Sequence, residues 1–248
     1  MTAFIRRVIP SPILDVYCYL RYCKEALALK KKTGSIEDPA CHFDLVMASP
    51  QFRPLQKKSE ITSLCQMIQT SRPLVVCEIG ALCGGSLYLF SQGASADATM
   101  ISIDTGFTWP KQRAFPLLAK DSQTVRCLRA DSHQPSTVNQ VQNLLAGRMI
   151  DMLFIDGDHS YEGVYSDFNK FSPLVAKKGI IAFYDVVPDF QMRFGRKENA
   201  DSGGVPIFWN EIKSRFAEKE TLESIEDHSQ DGFGIGVLIW PGEKAGSV

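Results

Sequence analysis

The chain has 248 residues, 44% hydrophobic and 22% charged, the make-up of a globular protein long enough for one large α/β domain and unlike a disordered or fibrous chain. Its 27 Lys and Arg are balanced by 28 Asp and Glu along the whole length, so no basic patch awaits a phosphate backbone or an anionic membrane, and neither nucleic acid nor membrane is an expected partner. Cys18, Cys23, Cys41, Cys65, Cys77, Cys83 and Cys127 form no CxxC pair and read as small hydrophobes in a reducing compartment; with no apolar leader or membrane-length run, the expected location is the cytoplasm.

Ser11-Pro12 is a helix-start signal, and the amphipathic run Ile13 to Leu29, closed by Lys30-Lys31-Lys32 and Gly34, predicts an N-terminal helix. Residues 1–50 are therefore read as a helical extension. Its Tyr17, Leu20, Ala26 and Leu27 suit docking on the main domain, covering its active site, or pairing with a second subunit, and a homo-oligomer is expected. After a polar loop, Ile61, Leu64, Cys65 and Ile68 recur at helical spacing. Within residues 51–248, apolar runs of strand length then alternate with helix-length segments: Leu74–Ile79, Met100–Ile103, Val125–Leu128, Met152–Ile155 and Ile180–Phe183. That rhythm predicts an α/β fold with a doubly wound, mainly parallel sheet.

Each run stops at or near an acid: Glu78, Asp104, Asp131, Asp156 and Asp185. Any one of them is explained as a turn or capping residue. Five in succession are gathered along one sheet edge, outside the carboxyl ends of the strands, where open α/β sheets bind ligands. In "CEIGALCGGS", Gly80, Gly84 and Gly85 let backbone approach a ligand before a helix begins near Ser86. The turn lacks GxGxxG spacing, which speaks against a nicotinamide dehydrogenase; with Asp104 as an acceptor for ribose hydroxyls it suits an adenosine-type cofactor. In "FIDGDHSYEGV", two carboxylates and an imidazole follow one strand, and His159 is either an acid/base group or the cap of the amphipathic helix Tyr161–Phe171. His133 reads as structural. Thr105–Phe115 is either a lid or dimer contact, or a surface loop with Trp109 half buried.

"LQKKSEI", "CEIGALCGGSLYLF", "ISID", "FIDGDHSYEGVYSDFNKFSPLVAKKGIIAFYDV", "GGVPIFWNEIK" and "GFGIGVL" together resemble class I S-adenosylmethionine-dependent methyltransferases, in the branch related to cephalosporin hydroxylase and small-molecule O-methyltransferases. The likeness runs from about Leu55 to Ile239. It implies a Rossmann-like, seven-stranded sheet with helices on both faces and an antiparallel last strand near Gly234 to Trp240. It also implies S-adenosylmethionine as cofactor and a small-molecule hydroxyl acceptor such as a sugar, natural product or phenol. By the same resemblance Glu78 supports the glycine turn and the methionine end of the cofactor, and Gly80 and Gly84 pass beneath it. Ser86 belongs to the same binding set, Asp104 holds ribose, Asp131 with Ser132 lies near adenine, and Asp156 borders the cofactor. Asp156 and Asp185 hold Mg2+ with Asp158 as auxiliary ligand, and His159 is the base that acts with Asp156. Acceptor specificity is expected in Trp109, the N-terminal helix and the loop Pro188–Val205. The chain departs from its relatives at Tyr184, where they often carry His, and at Val186, where catechol-type enzymes carry Asn. Those departures leave a non-catalytic binding subunit, beside a nicotinamide-dependent oxidoreductase, as the alternative functions.

Overall fold

In the computed structural model, which describes residues 11–34 and 36–242, seven strands form one sheet. They are β1 (Val75–Ile79), β2 (Thr99–Ile103), β3 (Thr124–Leu128), β4 (Ile150–Ile155), β5 (Val175–Tyr184), β6 (Thr221–Ser224) and β7 (Ile235–Ile239), in the spatial order β3-β2-β1-β4-β5-β7-β6. β1 to β5 pair in parallel, and β7 runs antiparallel to both β5 and β6. The fold is thus the seven-stranded Rossmann-like sheet with an antiparallel last strand. Strand order reverses between β1 and β4, and that switch point opens the crevice where such sheets take ligands.

The inner strands are apolar on both sides because both faces are covered. On one side Val76, Met100, Met152, Phe154 and Ala182 pack under α1 (Ser11–Thr33), α2 (Pro39–Met47), α3 (Lys58–Ser71) and α4 (Gly85–Gly93). On the other, Val75, Cys77, Ile79, Leu153 and Phe183 meet α6 (Pro135–Leu145), α7 (Tyr161–Phe171) and α9 (Val205–Arg215). The short helices α5 (Trp109–Ala114) and α8 (Phe190–Phe194) complete the chain. Among the described residues no helix is long and apolar enough to cross a membrane.

Several local outcomes differ from the sequence expectation. α1 runs past Leu29, so Lys30, Lys31 and Lys32 lie in its last turn, opposite the negative end of the helix dipole. It docks on the main domain: Ala26 and Leu29 are buried in one core with Phe43, Val46, Tyr88 and Phe115. α2 stands where a polar loop was expected, started by the Asp38 carboxylate accepting from Ala40 N at 2.9 Å and by Pro39 in the first turn. The Thr105–Phe115 segment is likewise docked, with Phe107 and Phe115 buried and Trp109, 46% exposed, 5.2 Å from the ring of Tyr19. β6 was not anticipated, because a short edge strand with exposed residues carries no apolar run.

Candidate active site

The carboxyl ends of β1 and β4 touch at the switch point. Gly80 has φ +89°, and a Cβ there would stand 1.8 Å from the Asp156 carbonyl. Gly84 is filled in the same way by the Phe115 ring at 2.8 Å, and Gly85 by Phe52 O and Pro54 N at 2.6 Å. The space on the Cβ side of these glycines is taken by the chain itself, so a side chain there would clash, while the backbone of Gly80 and Gly85 lines the cleft. Above them lies a cleft of about 680 Å³, walled by the glycine turn, Asp104, the loops after β3, β4 and β5, and the segment Arg53–Gln56 ahead of α3.

At the β1 to β3 end every carboxylate is engaged by its surroundings. Asp104 Oδ2 accepts from Ala81 N at 3.0 Å and Leu82 N at 2.8 Å, and Oδ1 from Gly106 N at 2.6 Å. The side chain expected to bind ribose therefore also holds the glycine turn in place. Glu78 is buried below the cleft wall, where Ser86 Oγ donates to Oε2 at 2.7 Å and Ser102 Oγ to Oε1 at 2.6 Å. Burial pushes its carboxyl up to about 7 against the pull of those two hydroxyls. It supports the turn through Ser86, which lines the cleft; Glu78 itself does not. Asp131 and Ser132 line the cleft, with Asp131 held low by Gln134 Nε2 and by His133 N.

At the β4 and β5 end the carboxylates meet a side-chain cation. His159 Nε2 lies 3.3 Å from Asp156 Oδ1, while Nδ1 lies 3.2 Å from Asp185 Oδ2 and 2.7 Å from the Asp201 carbonyl. The hydrogen bond to Asp156 chiefly, with help from Asp201 and Asp185, raises the imidazole to about 9 despite its burial. Burial raises both partners, Asp185 to about 7. Gln56 Nε2 donates to Asp156 Oδ2 at 2.8 Å, and Phe233 N to Asp185 Oδ1 at 2.9 Å. Asp185 sits at φ 63°, a strained left-handed conformation for a residue other than glycine. Glu60, fully buried, secures the turn that delivers Phe233 by accepting from Gly234 N at 2.9 Å and Gln230 Nε2 at 2.7 Å.

Residues 77–186 match the family model described as a methyltransferase domain. The likeness to a methyltransferase domain thus runs from β1 to just past the end of β5. The fold of the chain is shared by an O-methyltransferase from Bacillus cereus in complex with SAH, at 16% identity over 89% of this chain and 99% of that one, TM-score 0.54. It is shared too by an O-methyltransferase from Streptomyces achromogenes involved in Tomaymycin synthesis, in complex with SAM, at 13% identity over 90% and 98%, TM-score 0.51. An uncharacterized protein of Sinorhizobium fredii is 24% identical over 190 residues, 72% of this chain and 18% of that protein. The chain spans about half or less of the curated relatives it matches.

The methyltransferase domain match takes in Glu78, Asp104, Asp131, Asp156, His159 and Asp185, but Gln56, Asp201 and Phe233 close the site from outside it. Gln56 stands in the quoted "LQKKSEI" without a role there, and the other two act through backbone atoms that no side-chain pattern announces. The expected Mg2+ ligands do not fit that ion. Asp156 and Asp185 converge on His159, which fills the space between them, whereas Mg2+ demands an octahedral oxygen set. Asp158 lines the cleft but spends Oδ1 on Ser160 N at 2.9 Å, which also keeps its carboxyl low. Among the described residues no group of three or more His, Cys, Asp or Glu side chains could hold a metal. His159 does not cap α7 either: Ser160 does, accepting from Gly163 N at 3.0 Å.

Proposed function

We propose that this methyltransferase domain transfers a methyl group from S-adenosylmethionine to a hydroxyl oxygen of a small molecule, with a side-chain cluster rather than a metal ion taking the proton. The observation that carries the reading is the division of one cleft between a satisfied backbone cradle and a charged acid/base cluster. The SAM and SAH complexes of the fold neighbours support the choice of cofactor. A carboxylate offers about four acceptor positions. Asp104 uses three of them on amides, which leaves one for a ribose hydroxyl. The cleft of about 680 Å³ suits a cofactor with a small acceptor beside it.

When bound, S-adenosylmethionine supplies a methyl group already activated on sulfur. The remaining work is alignment and removal of a proton. With its imidazole raised to about 9 and both ring nitrogens beside acceptors, His159 is read as an imidazolium rather than as a free base. In the Asp156–His159–Asp185 cluster the imidazole lies within 3.3 Å of each carboxylate, close enough for their protons to be shared. With His159 charged and both carboxylates ionised the cluster has one net negative charge, and taking the acceptor's hydroxyl proton neutralises it. In the balanced step the S–CH3 bond breaks, the O–CH3 bond forms, and the proton rests on a cluster carboxylate before release to water.

Calorimetric titration with SAM and SAH tests the cofactor half of the reading: binding in the micromolar range is expected, and no heat with either ligand at millimolar concentration overturns it. A panel of sugars, phenols and natural-product alcohols tests the other half. Turnover should persist in EDTA, whereas turnover lost in EDTA and restored by Mg2+ would return the proton step to a metal.

A further inference from the structure

Three buried polar atoms beneath the cleft have no hydrogen-bond partner: His133 Nε2 and both carboxylate oxygens of Asp167. Asp167, on α7, is 0% exposed. His133 Nε2 stands 3.5 Å from Asp167 Oδ1, too far for a hydrogen bond of good geometry. Burial raises the Asp167 carboxyl to about 6, opposed by the nearby Ser132 hydroxyl, which makes no regular hydrogen bond to it. Unsatisfied buried groups of this kind are rare in native folds and call for an explanation; one is a small shift bringing His133 Nε2 onto Asp167.

The position says what that shift serves. A Cβ on Gly157 would stand 3.5 Å from Asp167 Oδ2, and Gly157, Ser132 and His133 all line the cleft. The loop Ala130–Gln134 follows β3, three places from β4 in the order β3-β2-β1-β4-β5, or about 14 Å at the usual strand spacing. A cofactor whose methyl group faces the Asp156–His159–Asp185 cluster therefore extends its other end toward this loop.

We propose that Asp167, acting through His133, positions the Ala130–Gln134 loop on the nucleoside end of the bound cofactor, the His133 Nε2–H closing onto Asp167 Oδ1 as the loop settles. The inference rests on the reading of the cleft as an S-adenosylmethionine site. Both are positioning residues: Asp167 is sealed from the ligand, and neither touches the reacting atoms.

The test is calorimetry with SAH and with adenosine on wild type, Asp167→Leu, Asp167→Asn, His133→Ala and the double variant Asp167→Leu/His133→Ala. Asp167→Leu and His133→Ala should each weaken both ligands by about tenfold, and the double variant by no more than either alone, because the two act as one unit. Asp167→Asn, which keeps an acceptor oxygen, should stay within about threefold of wild type. Asp167→Leu should also raise the melting temperature of the free protein, since it removes two of the three unsatisfied buried atoms. That separates a role in positioning from a role in folding. If Asp167→Leu does not fold, His133→Ala, on a partly exposed loop, decides by the same ratio. Wild-type affinity in the single variants, or effects that add in the double, overturns the positioning role alone. A wild type that binds neither ligand overturns the reading of the cleft as well.

Discussion

At the end of β2, Asp104 gives its oxygens to backbone amides of the neighbouring turn, whereas at the ends of β4 and β5 Asp156 and Asp185 face a side chain, His159. The first arrangement is a scaffold whose donors and acceptors are matched within the loops that carry them. The second gathers three ionisable groups, Asp185 buried and Asp156 and His159 half-buried, and places Asp185 in a strained backbone conformation. A matched carboxylate holds shape and a crowded one holds a proton that can move, so position and chemistry are assigned to different ends of one cleft.

The largest expected effect lies at the crowded end. His159→Ala leaves the Asp156 and Asp185 carboxylates facing each other without their cation, and methyl transfer should fall by about 10²–10⁴-fold, the usual worth of a positioned acid/base group. Steady-state rates on a turned-over acceptor measure it, and a variant with wild-type rates would dissolve the contrast. Gly80→Ala strikes the scaffold. With φ +89° and the Asp156 carbonyl 1.8 Å from the added Cβ, it should destabilise the fold by at least about 2 kcal/mol in denaturant unfolding. An unchanged unfolding midpoint would mean that the two strand ends are not in contact.

Acidity gives a third way to sharpen the comparison. Glu78 is raised from 4.5 to about 7 and Asp185 from 3.8 to about 7, so folding favours their protonated forms and stability falls as pH climbs from the ordinary carboxylate range through about 7. His159 is raised from 6.5 to about 9, so its contribution is complete below 6.5 and lost as pH rises through about 9. All three groups favour the folded state on the acid side. Relative to Glu78→Gln, which is fixed in the neutral form, wild type should lose stability between pH 4.5 and 7, as followed by thermal unfolding. The opposite slope would place Glu78 in a polar, solvated setting. The smallest effect is expected for Gln56→Ala, which removes one hydrogen bond to Asp156 and should shift stability by about 0.5–1.5 kcal/mol.

Much of this contrast was legible in the sequence. The inner strands are continuous apolar runs, and the rule that open sheets carry function at their carboxyl ends was enough to single out Glu78, Asp104, Asp131, Asp156 and Asp185. α2 was legible too, in Asp38-Pro39, but its polar setting hid it. What could not be read was the direction of each side chain. Gly80 reads as a close approach to a ligand, and only the structure shows that it is also a close approach to the Asp156 carbonyl from another strand. Asp156, Asp185 and a histidine resemble a metal set until the imidazole is found between the carboxylates. Asp167 has no local signal at all, since its meaning depends on His133 from a loop after a different strand.

Calorimetric titration of SAH, in EDTA, into wild type, Asp104→Ala and His159→Ala tests the division of the cleft most directly. Wild type and His159→Ala should bind with similar micromolar affinity, while Asp104→Ala should be weaker by about 1.5–3 kcal/mol, the worth of hydrogen bonds to a charged group. Equal affinity in all three, or a loss confined to His159→Ala, would contradict it.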